Sequence, residues 1–259
     1  MIRNTMPCII YSVVNQKGGV GKTTTAINMA SYMSEFGHKV LLIDLDSQGN
    51  ATSGVGVKVD QIQHGLYDLL LGVASFEDVL CPTAFDNLHL IPSTRDLAGA
   101  EVEMVQMDSR ETILKRVVEP LLPFYDFIVI DCPPSLGLLT LNALVATHKT
   151  LIPVQCEYFA LEGIAGLLNT LTIVKDSLNP ELEIAGILLT MYDKRTALNR
   201  QVAENVRRYF KDLIFDTIIP RNVRLSEAPS HGLPISLYKH NSRGAIAYLN
   251  FAREVCRRV

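Results

Sequence analysis

Asn15-Gln16-Lys17-Gly18-Gly19-Val20-Gly21-Lys22-Thr23-Thr24 stands between a β-favouring run and a run with helical spacing. Pro7 to Asn15 reads as a buried strand, since Cys8, Ile9, Ile10, Tyr11, Val13 and Val14 are apolar or β-favouring. Thr24 to Phe36 reads as a helix, with Ala26, Ile27, Met29, Ala30 and Met33 at helical spacing and Gly37 at the stop position. Strand, glycine-rich turn, helix is the context of a phosphate-binding loop. Glycines let successive backbone N–H groups converge on phosphate oxygens. The helix N-terminus adds a positive dipole end. In such a loop Lys22 reaches the β- and γ-phosphates of a nucleotide and the Thr23 hydroxyl ligates Mg²⁺.

Outward from the loop, Val40-Leu41-Leu42-Ile43 reads as a second buried strand ending in Asp44-Leu45-Asp46-Ser47-Gln48-Gly49-Asn50-Ala51-Thr52. The i, i+2 spacing predicts that Asp44 and Asp46 point the same way. The C-terminal end of a strand is where ligands sit in open parallel sheets. Phe127-Ile128-Val129-Ile130 is a third apolar strand, delivering Asp131 before Cys132-Pro133-Pro134. That pattern predicts Asp131 as a residue holding Mg²⁺ through water, followed by a stiff loop.

The usual pattern G-x-x-x-x-G-K-[ST] fails where its first glycine would fall, on Gln16, and K-G-G-x-G-K-T stands instead. This loop resembles that of the ParA/MinD/nitrogenase-iron-protein ATPases, and more closely the small ParA (Soj) chromosome-partitioning ATPases. The resemblance runs from Val14 to about Ala252. It implies an α/β fold, a doubly wound, mostly parallel sheet with helices on both faces, of the P-loop NTPase, SIMIBI-like kind. It implies ATP and Mg²⁺, cradled by Lys17, Gly18, Gly19, Val20, Gly21, Lys22, Thr23 and Thr24. It gives Lys17 the family's role of crossing a two-fold interface to the partner's ATP, hence a homodimer on ATP binding. It gives Asp46 the positioning or activation of the attacking water and Asp44 a supporting part. The family usually has proline where Ser47 stands, which loosens the local turn.

The run Ile219-Pro220-Arg221-Asn222-Val223-Arg224 is also similar to the family's, and implies that Pro220, Arg221 and Asn222 surround the adenine. Small ParA proteins hold double-stranded DNA without sequence preference through basic residues of the C-terminal region. Met191-Tyr192-Asp193-Lys194-Arg195-Thr196 resembles the segment carrying such an arginine, so Arg195 is the first choice. Lys194, Arg200, Arg207, Lys211 and Arg224 accompany it, while Leu233 stands where close relatives often have lysine. Gln155 to Gly163 matches a segment near the family's dimer interface. A ParB-like centromere-binding protein is the implied partner. Only 16 residues precede Lys17, so no N-terminal helix-turn-helix is expected.

At 259 residues a single domain over 1–259 is comfortable. Further strands are expected at Leu88–Ile91, Thr150–Val154, Ile184–Thr190 and Leu213–Ile219, and helices near Leu138–Ala146, Leu161–Leu178, Asn199–Lys211 and Gly244–Arg258. The alternation argues a parallel doubly wound sheet, with Ser53–Asp86 as a surface insertion. Net charge is −3, but residues 194–259 hold 13 Lys and Arg against 5 Asp and Glu, while residues 1–193 carry a net −11. That asymmetry reads as a basic face on an acidic body. On a helix over 199–211, Arg200, Arg207 and Lys211 fall within about 40° of one another, with Val202, Val206, Tyr209 and Phe210 opposite.

Five scattered cysteines without a CxxC fit a reducing, cytoplasmic setting, and the DNA reading makes the location nucleoid-associated. Met1–Pro7 has no apolar run of a leader, and no 18-residue apolar stretch occurs. A MinD-like membrane-associated positioning ATPase is the alternative, needing an amphipathic tail. Ala245, Ile246, Leu249, Ala252 and Val255 share a face, but that helix is more simply one that packs on the sheet, so no stable membrane association is expected. A bridging iron–sulfur cluster lacks its cysteine pair, and Asp46 argues against a sensor that never turns over.

Overall fold

The computed structural model describes residues 7–259, so the expectation for a leader falls almost wholly outside the described residues. Seven strands are β1 (Ile9–Val13), β2 (Val40–Asp44), β3 (Cys81–Pro82), β4 (Leu88–Ile91), β5 (Phe127–Asp131), β6 (Lys149–Gln155) and β7 (Glu183–Thr190). They form one sheet in the order β3-β4-β2-β5-β1-β6-β7. Every pairing is parallel except β3 with β4. The α-helices are α1 (Lys22–Glu35), α2 (Asn50–Gly54), α3 (Leu66–Leu70), α4 (Phe76–Val79), α5 (Leu97–Met104), α6 (Ile113–Val118), α7 (Leu138–Ala146) and α8 (Ala160–Ser177). After β7 come α9 (Ala197–Phe210), α10 (Val223–Glu227), α11 (Ile235–Lys239) and α12 (Arg243–Arg257).

Alternation along each central strand divides the core. Leu41 and Ile43 of β2, with Ile128 and Ile130 of β5, enter one buried cluster. Val40 and Leu42, with Phe127 and Val129, enter the other. Strands buried on both faces need continuous apolar runs, which is why they read so clearly in the chain. Each such side chain stabilises by roughly 1.5–3 kcal/mol. α1 ends as its sequence predicts: Gly37 takes φ 92 and its N–H donates to the Ser34 carbonyl.

Four expectations need correction. Leu213–Ile219 is not a strand of the sheet: it makes single parallel bridges, Ile187 to Ile214 and Tyr192 to Pro220. Its apolar residues are buried by packing rather than by ladder pairing. Ser53–Asp86 is not a surface insertion, because Leu66, Leu70 and Val79 from α3 and α4 lie in the core. Lys211 lies beyond the end of α9 at φ 38, so helical spacing does not place it beside Arg200 and Arg207. On the opposite side of α9, Val202 and Val206 are buried but Tyr209 is 66 % exposed.

Candidate nucleotide site

The loop after β1 is built before any ligand arrives. Asn15 Nδ2 donates to the Pro153 carbonyl of β6 at 2.7 Å, and Asn15 Oδ1 accepts from the Lys17 N–H at 2.9 Å. Thr190 Oγ1, at the end of β7, donates to the Val20 carbonyl at 2.8 Å. Gly19 and Gly21 take φ 73 and 92, the region where a side chain would be strained. Lys22 opens α1 and is buried, its Nζ donating to the Lys17 carbonyl at 3.1 Å. Burial pulls its pKa below the ordinary lysine value, while the charges of Asp131 and Asp46 oppose that. An ammonium folded onto its own loop, with carboxylates near, is poised for phosphate oxygens.

Two adjoining cavities meet at this loop. One, of about 420 Å³, is lined by Gly18, Gly19, Gly21, Lys22, Thr23 and Thr24, together with Asp46, Gln48 and Pro134. The other, of about 350 Å³, is lined by Pro220, Arg221 and Asn222, with Thr190, Met191, Leu225 and Tyr248. Gly21, Thr24, Met191 and Pro229 line both. Asn222 Oδ1 accepts from the Arg224 N–H at 2.9 Å, which starts α10 and fixes that wall. A chamber bordered by the glycine-rich loop and the start of α1, joined to a second one walled by Pro220, Arg221 and Asn222, suits a triphosphate with its base. Val20 is buried and serves the loop from behind. Thr190, Met191 and Tyr248 were not singled out from sequence; only their position at the β7 end and inside the last helix hinted at them.

The two aspartates of the second strand part company. Asp44 is fully buried, while Asp46 reaches the phosphate chamber. The alternation rule holds only within a strand, and β2 ends at Asp44. Asp131 pairs in register with Asp44 across β5 and β2, and it too is fully buried. Both Asp131 oxygens lack a hydrogen-bond partner. Burial first, then the neighbouring Asp44 charge, raises the Asp131 pKa well above the usual range, against the pull of Thr23 and Lys22. An orphaned carboxylate beside the loop fits a hydrated cation. Among the described residues no group of three His, Cys, Asp or Glu could hold a metal. A cation here therefore takes phosphates and waters as ligands, the habit of Mg²⁺.

Lys17 lies at the rim, half-exposed, with its ammonium on the Glu157 carboxylate of the same chain. The basic residues are scattered. Arg195 is 84 % exposed and forked on Asp193 at 2.7 Å, with Lys194 beside it. Arg200 donates to the Lys194 carbonyl at 2.8 Å. Arg207 instead donates to the Asp216 carbonyl at 3.2 Å, and Lys211 follows beyond α9. Arg224 is paired with Glu227 at 2.6 Å. Thus Lys194, Arg195 and Arg200 are brought together, and Arg207 and Lys211 are not part of that group.

A family model described as an AAA domain matches residues 8–184. The sporulation initiation inhibitor protein Soj of Bacillus subtilis is 54 % identical over 246 residues, 95 % of this chain and 97 % of that protein. The chromosome-partitioning ATPase Soj of Treponema pallidum is 53 % identical over 95 % of this chain and 96 % of that one. The chain belongs to the Soj/ParA family of chromosome-partitioning ATPases. A solved structure named cobyrinic acid a,c-diamide synthase of Mycobacterium smegmatis, with bound ATP analogue and magnesium, is 37 % identical with TM-score 0.84. It covers 96 % of this chain and 95 % of its own. Its name belongs to other chemistry; what this ParA-family ATPase shares with it is the fold and the P-loop.

Proposed function

We propose that this chain is a DNA-partitioning ATPase that acts as an ATP-gated dimer. ATP occupies the joined cavities, the base against Pro220, Arg221 and Asn222 and the phosphates on the loop from Lys17 to Thr24. Lys22 neutralises phosphate charge, and Asp46 orients the attacking water in line with the γ-phosphate. Thr23 and, through water, Asp131 would hold Mg²⁺, which supplies further charge neutralisation on the phosphates. Lys17 completes the site of a second copy.

The observation that carries this reading is the half-exposed Lys17, next in sequence to Gly18 of a chamber that Lys22 lines but itself outside that lining. A second lysine has no task in its own site. Dimerisation doubles a small basic group, Lys194, Arg195 and Arg200, into a surface able to span a duplex without reading bases. Arg207, Lys211 and Arg224 add charge at the margins of that surface. A ParB-like centromere-binding partner stimulates hydrolysis and release, which makes the protein nucleoid-associated within the cytoplasm. The reading takes 1–259 as one ATPase domain.

Membrane association is the weaker course. α12 packs against α1, with the Tyr32 hydroxyl donating to the Ala245 carbonyl at 3.1 Å, and Ala245, Ala252 and Val255 are buried. Ile246, expected on the same face, is 49 % exposed and stands alone there. Among the described residues no helix is long and apolar enough to cross a membrane.

The test is retention of the protein on duplex DNA with and without ATP, for the native chain and Arg195→Glu. ATP-dependent retention that falls at least tenfold on substitution supports the reading. Retention indifferent to ATP would overturn it, and retention indifferent to Arg195 would remove that contact.

A further inference from the structure

Asp46 lies in a loop whose usual stiffening proline is Ser47 in this chain. Proline would fix φ at that position; serine leaves it to the surroundings. The surroundings supply a connected set of hydrogen bonds. The Asp46 N–H donates to Asp44 Oδ1 at 3.2 Å. The opposite oxygen, Asp44 Oδ2, accepts from both the N–H and the hydroxyl of Thr52, each at 2.7 Å. The Thr52 hydroxyl oxygen in turn accepts from the Ser93 N–H, beyond the end of β4, at 3.0 Å. Thr52, Asp44 and Ser93 are all fully buried. Downstream, the Gly49 N–H closes on the Asp46 carbonyl at 2.9 Å and the Gln48 N–H on Asp46 Oδ1 at 3.0 Å.

We infer that Thr52 is a positioning residue for hydrolysis: its hydroxyl clamps the buried Asp44 carboxylate between β2 and β4, and Asp44 in turn sets the backbone of Asp46. The bond from Asp46 to Asp44 is the longest of the set, so Asp46 keeps its place only while Asp44 cannot turn. Thr52 prevents that turn with two short bonds to one oxygen, and Ser93 prevents Thr52 from turning. Neither Thr52 nor Ser93 is itself among the residues lining the phosphate chamber, so the loss should fall on the chemical step rather than on binding.

The inference rests on the proposed role of Asp46, so Asp46→Ala is measured alongside. Phosphate release at saturating ATP with duplex DNA, and the Kd of a fluorescent ATP analogue, are compared for native chain, Thr52→Val, Thr52→Ser and Asp46→Ala. Valine keeps the shape of threonine without its hydroxyl; serine keeps the hydroxyl. Misplacement of the water-positioning group predicts a fall in kcat on the order of 10- to 100-fold for Thr52→Val. Its analogue Kd should stay within about threefold, and Thr52→Ser should return kcat to within about threefold of native. A native kcat for Thr52→Val, or a Kd loss equal to the kcat loss, overturns the inference. So does a Thr52→Ser variant as slow as Thr52→Val. Where Thr52→Val fails to fold, Thr52→Ser against Thr52→Ala carries the same comparison. A fully active Asp46→Ala removes the role of Asp46 itself, whereas a dead Asp46→Ala with active Thr52→Val removes only the inference about Thr52.

Discussion

The most costly residues in this molecule are Asp44 and Asp131, carboxylates adjacent across two parallel strands and both shut away from water. Burial raises the Asp44 pKa to about 6, with Thr52 and the Asp46 N–H holding it down. Burial and the neighbouring Asp44 charge raise the Asp131 pKa well above the usual carboxylate range. An acid whose pKa is raised by folding is protonated in the native state while the unfolded chain has released its proton. Its stabilising share is therefore present below the unfolded carboxylate value and lost as pH rises through the folded one. Asp131→Asn is expected to raise the thermal stability of the nucleotide-free protein at pH 7–8 by about 1–3 kcal/mol, since it removes a buried carboxyl whose ionisation folding opposes. The two melting curves should converge only below about pH 4, where the unfolded carboxylate is protonated as well. The same variant should lose Mg²⁺-dependent phosphate release. Equal melting temperatures at pH 8 would show that the pair is not repulsive. On the proposed role of Asp131, stability is traded for a cation site at the centre of the sheet.

At the scale of elements, the apolar strands and the helix after the loop were legible because burial on both faces and helical spacing leave strong periodic signals. β2 and β5 show no polar residue until their terminal aspartates, so both strand and site could be read at once. What was hidden lies where local sequence and tertiary contact disagree. Leu213–Ile219 has strand composition and runs along the free edge of β7, where the Phe215 N–H donates to the Ile187 carbonyl at 3.0 Å and the Ile219 N–H to the Leu189 carbonyl at 2.9 Å, but the contacts amount to isolated bridges rather than a ladder. The wall of the base cavity was half visible: Asn222 announces itself as a cap, while Leu225 owes its place to α12. A Cβ on Gly244, at the start of α12, would lie 2.7 Å from Leu225 Cγ, with both Leu225 methyls within 3.1 Å. Gly244→Ala must therefore displace the Leu225 side chain, part of the wall of the base cavity. Overpacking of this kind costs about 1–3 kcal/mol. The expectation is a drop in ATP-analogue affinity of several fold, greater than the drop for inorganic triphosphate, since the displaced wall faces the base. Equal losses for both ligands would mean that α10 does not border the base.

For the whole molecule, the proposed dimer requires one chain to pass Lys17 to another. Lys17 is held by Glu157 of its own chain, from the loop after β6, beside the exposed aromatic pair Tyr158 and Phe159. If Lys17 serves a second copy, that ion pair must open first, so Glu157 competes with the partner's phosphates for the same ammonium. An exposed ion pair contributes at most about 1 kcal/mol. A two-fold dimer opens two such pairs, so Glu157→Gln should then tighten ATP-dependent dimerisation by up to roughly thirtyfold, whereas Lys17→Ala should abolish it while ATP-analogue binding to the monomer stays within a few fold. Sedimentation at several protein concentrations reads both. DNA retention should follow the dimer, and each phosphate contact should add about −0.9 to its slope against log salt. The basic group near Arg195 predicts a steep slope for the native chain, a shallower one for Arg195→Glu, and an unchanged one for Glu157→Gln. A Lys17→Ala protein that still dimerises with ATP would break the link between the loop and the assembly, because Lys22, the other lysine of the loop, is buried.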